Sequence, residues 1–570
     1  MPYKSRWQIE IPRCSLPTFL FGSSANLPHS PSNPNKVCLA DAARPNTHFF
    51  TRATYQLWCQ RFALGLQQSG LFKEGDRLLL FSPNNIFVPV VFLGTLLAGG
   101  IFTGANPSFT PRELAYQLRD SEASLLLCHS SITESGIQAA KRAGLDLSRV
   151  FVFDDAIFDG TGSSSHGLWY WSQLVSPNLE QAEVFAWNDL TGLGECNTTL
   201  ALNYSSGTTG LPKGVEVTHL NYLANTLQTG QTVKNHLDYE KRSLNSASLA
   251  YLPLYHAYGQ TVYIALYFHH ERTAYVMPKF DFIKMLEYTE KFKVSDMNLV
   301  PPIALALAKY PDLDKYDLSS VTFLGCGAAP LSRDIAEQVE KRLNKNRKEE
   351  DRLNLRQGWG MTECTCSLLY PDINEEVNTN TVGEPNANCE AMIVDEGTGK
   401  EITARGPEAR GELWCRGENV MKGYWRNPKA TAETLTPGGW LKTGDIAYVS
   451  EKGHFVIVDR IKELIKVQGH QVAPAELEAL LLEHPAVLDV AVVGVSRSDG
   501  DEEPRAFVVK QGKVTEKEIQ DFTASKVVRY KHLTGGVTFI DEIPRNPSGK
   551  ILRRQIKERC NDSVRTGARL

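Results

Sequence analysis

Residues 204–215 read YSSGTTGLPKGV. Three glycines, four hydroxyl side chains and one lysine fall in this stretch, directly after the apolar run LALNY at 200–204. Glycine lets a backbone come close to an anion and turn its N–H groups toward it. The hydroxyls of Ser205, Ser206, Thr208 and Thr209 add donors, and Lys213 adds a positive charge suited to a terminal phosphate. Lys213 follows Pro212 and precedes Gly214, so the loop is not the GxxxxGK[ST] phosphate loop. A flexible Gly/Ser linker is the plain alternative. The LPKGV close and the strand-like runs on either side point instead to an ordered turn between strands.

Outward from this loop, short apolar runs alternate with helical periods. Residues 77–82 (RLLLFS), 125–128 and 150–153 read as buried strands, and 111–121 as a helix with Leu114 and Leu118 at i, i+4. Residues 248–253, 274–277 and 321–324 read as further strands, and 336–348 as a helix running into the charged stretch 341–352, a solvated end. Strands alternating with helices predict α/β layers with largely parallel sheets. After about Gly383 the texture changes to short strands with Gly turns, a β-rich subdomain. Residues 459–463 (DRIKE) then break the pattern, and a compact βα unit follows: helix 474–482, strands 487–495 and 505–510. The expected fold is mixed α/β, with a large multi-subdomain N-terminal domain (1–458), a hinge (459–463), a small mobile α+β C-terminal domain (464–560) and a tail (561–570).

Composition narrows the class. The 570 residues exceed one hydrophobic core, and 42% hydrophobic with 22% charged residues is ordinary globular usage. The net charge is −4 (61 basic, 65 acidic), which leaves no whole-molecule basic field for nucleic acid. Eleven scattered cysteines without metal spacing read as reduced, mostly buried thiols. Residues 86–105 carry no charge over the length of a membrane span. Pro89, Gly99, Gly100 and Gly104 punctuate them, so a buried helix leading into a buried strand is expected, with no transmembrane segment. The N-terminus has no secretory h-region. The sequence ends Ala568-Arg569-Leu570, a variant of the SKL address that a peroxisomal import receptor reads; peroxisome, otherwise cytoplasm, is the expected location.

The loop at 204–215 resembles the signature loop of the adenylate-forming (AMP-binding) superfamily, which includes acyl-CoA synthetases, 4-coumarate–CoA ligases and beetle luciferases. Further blocks agree in order: LPLYHAYG (252–259), GAAPLS (327–332), QGWGMTE (357–363), GGWLKTGD (438–445), VDRIKELIKVQGHQVAPAELE (458–478) and NPSGKILRR (546–554). The resemblance is closest to 4-coumarate–CoA ligase-like enzymes. It implies an ATP-dependent acid–CoA ligase, with acyl-AMP and pyrophosphate formed first and CoA attacking second. It also implies roles for individual residues. Ser205, Ser206, Gly207, Thr208, Thr209, Gly210 and Lys213 would hold the ATP phosphates, and Glu363 would ligate Mg²⁺. Gln357, Gly358, Trp359, Gly360 and Thr362 would hold the nucleotide with Gly327, Ala328 and Ala329, Trp359 standing where a tyrosine is usual. Asp445 would bind the ribose, supported by Arg460, and Lys550 would reach the carboxylate and α-phosphate. His256, Tyr258, Val262, Ala328, Gly358, Cys366 and Ser367 would line the acyl pocket. Lys462 would be the hinge, and Lys466, Gln471 and Gly469 would serve the CoA step.

Departures are local. Gln468 and His470 stand where plant ligases have a basic and an aromatic residue, and Cys366-Ser367 replace Pro-Val, so side-chain contacts to CoA and the identity of the acid stay open. The segment 545–570 has eight Lys/Arg against two acids, suited to CoA phosphates or to a solvated tail. A monomer or homodimer is expected. Three other readings share the scaffold: loading of a carrier protein, a luciferase-like oxygenase, and a degenerate non-enzyme. No carrier attachment motif follows the ligase blocks, and intact Lys213, Glu363, Asp445, Arg460 and Lys550 argue against degeneration.

Overall fold

The computed structural model describes residues 2–26, 32–205, 211–236, 239, 246–375, 381–468, 470–496, 501–546 and 549–558. Ser206, Gly207, Thr208, Thr209, Gly210, Gly469 and the terminal Ala568, Arg569 and Leu570 lie outside the described residues. Two mainly parallel sheets form the body of the large domain. In one, the strands Arg77–Phe81, Ile101–Ala105, Ala123–His129 and Val150–Phe153 run parallel, and Thr199–Ser205 extends them. The other runs Leu355–Gln357, Phe323–Cys326, Asp296–Leu299, Ala247–Ala250, Thr273–Val276 and Val37–Asp41, all parallel.

The charge-free stretch resolves as expected. It forms the helix Val88–Leu97, every residue of it buried, then the buried strand Ile101–Ala105. Burying a Val, Leu or Phe side chain contributes roughly 1.5–3 kcal/mol, so this segment anchors the core between helix and sheet. No helix among the described residues is long and apolar enough to cross a membrane. The described cysteines are free and mostly buried.

Several elements differ from the sequence reading; the strand expected at 505–510, for one, begins at Glu502. The helix expected at 336–348 is Arg333–Leu343. Ser332 caps it, accepting from the Ile335 N–H, and Asn344 ends it because its side chain bonds both the N–H and the C=O of Leu353 at 2.8 Å. The strand expected at 321–324 is Phe323–Cys326, since pairing with Asp296–Leu299 sets its register. The strand expected at 248–253 is Ala247–Ala250. Beyond it the Asn84 amide donates to the carbonyls of Ala250 and Leu252 and accepts from the Leu254 N–H, replacing the ladder.

The β-rich subdomain is an antiparallel sheet containing Glu390–Val394, Gly411–Arg416, Leu441–Val449 and Phe455–Arg460, with the N-terminal strand Tyr3–Lys4 added at its edge. The small domain packs the helix Pro474–Leu482 on Val487–Ser496, Glu502–Lys510 and Val537–Phe539 around its own core. A minor apolar cluster of Ile446, Leu464 and Ala473 joins the two domains. Asp459 ties them further: one carboxylate oxygen accepts the N–H of Ala475, at the start of the small-domain helix, and the other that of Arg460. Burial pushes this carboxyl up to about 7.

Candidate active site

The two parallel strands Phe323–Cys326 and Leu355–Gln357 end at the same edge of their sheet, and the loops leaving them carry residues 327–332 and 358–363. Crevices at the C-terminal ends of parallel strands are where open α/β sheets place ligands, because the loops diverge there. Ala328 has φ +74°, a left-handed conformation uncommon for a residue with a Cβ and a sign that this loop is held for a purpose. Gly360 has no substitute: a Cβ there would lie 1.7 Å from the Cys366 carbonyl oxygen. The Gln357 amide is committed to the backbone of Leu331 through two bonds, Leu331 N–H to Oε1 at 2.9 Å and Nε2 to Leu331 O at 3.0 Å. It thereby fixes one loop against the other.

The strands on either side of the phosphate-loop sequence pair with each other. Lys213 stands directly opposite Ser205 where Lys213–Thr218 pairs antiparallel with Thr199–Ser205. Ser205 Oγ donates to Glu363 Oε1 at 3.0 Å, and Tyr424 OH donates to the same oxygen at 2.9 Å. Lys213 Nζ sits 4.2 Å from the centroid of the Tyr424 ring. Burial, with Glu363 beside it, raises the Tyr424 phenol, so it stays a proton donor. Tyr424 was not legible as a site residue; only the pairing of Val215 with Tyr424 brings it in.

Asp445 lies in Leu441–Val449, opposite Arg460 in register. Its carboxylate is buried, accepts the Trp359 Nε1–H at 2.7 Å and is ion-paired with Arg460, whose Nε lies 3.4 Å away. Burial raises its pKa; Arg460, the Trp359 bond and Lys550 oppose the rise. The bond from the Trp359 N–H to Asp445 is a contact that the sequence did not disclose.

Lys550 comes from the small domain, where the Asn546 N–H donates to the Lys550 carbonyl, the Lys550 N–H donates to Asn546 Oδ1 at 2.9 Å, and Arg545 donates to the Gly549 carbonyl. Gly549 has φ +84° and lies against Val300 and Pro302 of the large domain. Burial and the nearby Arg460 push the Lys550 ammonium down to about 8; Glu363, Asp445 and Glu463 pull against that. Lys550 borders one cavity together with all seven residues expected at the acyl pocket: His256, Tyr258, Val262, Ala328, Gly358, Cys366 and Ser367. Gly327, Trp359, Gly360 and Thr362 also line it. His256 accepts the Tyr258 N–H at Nδ1, which leaves the proton on Nε2. Burial, reinforced by the Lys550 charge, takes its pKa down to about 3, so the ring is neutral. Burial pushes the Cys366 thiol up to about 12, which removes it as a thiolate nucleophile.

Lys466 and Gln471 are not part of this cavity. They face each other across the two-stranded ladder Ile465–Val467 and His470–Val472, both exposed. His470 stacks on Tyr530 with ring centroids 4.2 Å apart. Lys462 is exposed in the turn after Arg460.

The chain resembles known proteins along nearly its whole length. The family described as AMP-binding enzyme matches residues 29–425, and its C-terminal domain matches 476–550. A probable 4-coumarate–CoA ligase 3 of Dictyostelium discoideum is 38% identical over 544 residues, covering 93% of this chain and 94% of that protein. The 4-coumarate–CoA ligase 1 of Petroselinum crispum is 36% identical over 532 residues, covering 92% and 91%. Among solved structures, the ATP-bound MatB of Rhodopseudomonas palustris superposes with a TM-score of 0.78 at 25% identity, over 96% of this chain and 99% of that one. These likenesses span both domains, and the chain belongs to the AMP-binding enzyme family.

Proposed function

We infer that the chain is an ATP-dependent acid–CoA ligase. The carboxylate of an acid attacks the α-phosphorus of ATP, giving acyl-AMP and pyrophosphate; the CoA thiolate then attacks the acyl carbon, giving acyl-CoA and releasing AMP. One observation carries this reading. Lys550 stands at the meeting point of the cavity that His256, Tyr258 and Val262 line and the polar rim formed by Asp445, Arg460 and Glu363. An ammonium at that point stabilises the charge spread over the transferred phosphoryl group and the carboxylate together. The relatives named 4-coumarate–CoA ligases support the acceptor and the acid class.

In this reading the paired strands bearing Ser205 and Lys213 cradle the β- and γ-phosphates, and Asp445 accepts from the ribose hydroxyls while Trp359 and Arg460 hold it in place. The neutral His256 offers its Nε2–H toward the acid. Glu363 presents a buried carboxylate beside a hydroxyl, a hard-oxygen set that fits Mg²⁺, and the ion would neutralise phosphate charge there. After adenylation the small domain, 464–560, would turn about Lys462 so that the Lys466–Gln471 ladder replaces Lys550 at the site. Tyrosine rings at 258 and 370 along the cavity favour an aryl or arylalkenyl acid, the finer part of the proposal.

The test is a panel of carboxylic acids with ATP, Mg²⁺ and CoA, read by mass for acyl-CoA and by pyrophosphate release. Acyl-CoA from an aryl acid is the expected result. Acyl-adenylate without any acyl-CoA would overturn the CoA assignment in favour of another acceptor.

A further inference from the structure

The cavity does not stop at the ring-lined stretch beside His256. It continues along the parallel strands to their opposite end, where Arg272 and Asp296 line it. Asp296 is in register with Phe323 at the start of their two strands, and Leu299 with Cys326 at the end. Four strand residues span roughly 10 Å, so the Arg272–Asp296 wall lies about that far from the rim at Gly327. Both side chains are buried. Arg272 Nη1 donates to Asp296 Oδ2 at 2.8 Å, and Tyr267 OH donates to the same oxygen at 2.9 Å. The guanidinium Nε has no hydrogen-bond partner among the described residues, nor has the hydroxyl of Thr229, which lines the same cavity.

A buried ion pair costs several kcal/mol of desolvation per ion, and an apolar pair of similar volume would close this end at less cost. A pair that also forms a cavity wall offers a ligand a carboxylate acceptor and a guanidinium donor side by side. Its net charge is zero, so a second carboxylate would gain from Arg272 and lose to Asp296. A hydrocarbon end would exclude water from both groups and give back no hydrogen bond beyond those they already share. A hydroxyl serves both: it donates to Asp296 and accepts from Arg272. We propose that Arg272 and Asp296 form a specificity wall that selects acids carrying an uncharged hydroxyl at the end remote from the reacting carboxylate. This rests on the ligase reading above and deepens it.

The pair also ties the start of Thr273–Val276 to the start of Asp296–Leu299 across Ala247–Ala250, a purely structural use. The experiment separates the two. Acyl-CoA formation is measured for a length series of ω-hydroxy acids, each with the unsubstituted acid and the ω-carboxy acid of equal length, and for 4-hydroxycinnamate with cinnamate. The full-length protein is expected to favour the hydroxylated member of its best pair by about 10-fold or more in kcat/KM, because a site built to hydrogen-bond a hydroxyl rejects the analogue lacking it. The double variant R272M/D296L removes both charges together and leaves neither buried alone; it is expected to lose or reverse that preference while the KM for ATP holds. Equal turnover of paired acids by the unaltered protein, preference for the ω-carboxy member, or a preference that survives in the double variant would overturn the wall. If the double variant does not fold, the paired acids on the unaltered protein still decide. Turnover of no acid at all would instead overturn the ligase reading itself.

Discussion

The small domain presents two polar clusters to two different surroundings. The Lys550 segment is seated against Val300 and Pro302, deep among Glu363, Asp445 and Arg460, where burial and the Arg460 charge move the ammonium down to about 8. The Lys466–Gln471 ladder is exposed, outside the cavity. A charge that is buried beside opposite and like charges is held in a definite place and tuned; one in water is neither. In the proposed ligase this arrangement of domains would serve the first half-reaction, and the exposed ladder would need a domain movement before it could act. The junction suits such a movement. Asp459 and a small apolar cluster hold it, and Arg553 spans Glu463, Glu478 and the Val492 carbonyl within and beside the hinge.

The sharpest way to break the comparison is Lys550→Ala. Acid-dependent pyrophosphate release is expected to fall by about 10²–10³-fold, the usual loss when one charge-stabilising group is removed. Conversion of supplied acyl-adenylate and CoA to acyl-CoA is expected to hold. Equal loss in both steps would erase the distinction between the two clusters.

The pH profile tests the same buried ammonium. With its pKa lowered to about 8, Lys550 is charged below that pH and neutral above it. The kcat/KM for ATP reports the free enzyme, so it is expected to be level below about pH 8 and to fall about tenfold per unit above it. His256, at about 3, is neutral throughout and adds no limb between pH 5 and 9.

For the exposed cluster the direction reverses. Lys466→Ala and Gln471→Ala are each expected to slow thioester formation roughly tenfold, the worth of one charge-assisted hydrogen bond, with pyrophosphate release unchanged in single-turnover assays. The smallest expected effect is at the rim. Trp359→Phe keeps the ring and deletes the N–H that Asp445 accepts, and with Arg460 still in place the loss is about 1 kcal/mol, a few-fold rise in the KM for ATP. A variant with normal ATP affinity would show that the indole bond is incidental to nucleotide binding.

Much of this site was legible because its residues come in compact blocks. Ser205 and Lys213 flank a Gly-rich stretch, and the short spacing between their paired strands is local. The resemblance assigns Tyr258, Val262, Cys366 and Ser367, from blocks far apart in the chain, to an acyl pocket, and one cavity gathers them. Tyr424 escaped because nothing beside it in sequence marks it; a strand pairing delivers it to Glu363. Arg272 and Asp296 escaped for a different reason. A charge at the edge of an apolar strand normally reads as the exposed end of that strand, and here both ends are covered.

Local chemistry in the sequence determined the order of strands and helices and the pairing of the strands that flank the Gly-rich stretch before Lys213, while the resemblance supplied the residues proposed for the nucleotide. The order and the pairing follow from glycine's freedom, apolar periodicity and short spacing, which act within a few residues. Only the tertiary structure decided that Trp359 donates to Asp445, that Lys550 is desolvated while Lys466 is exposed, and that an ion pair closes the far end of the acyl cavity. Each depends on burial and on a partner distant in the chain, and neither is written in the neighbouring residues.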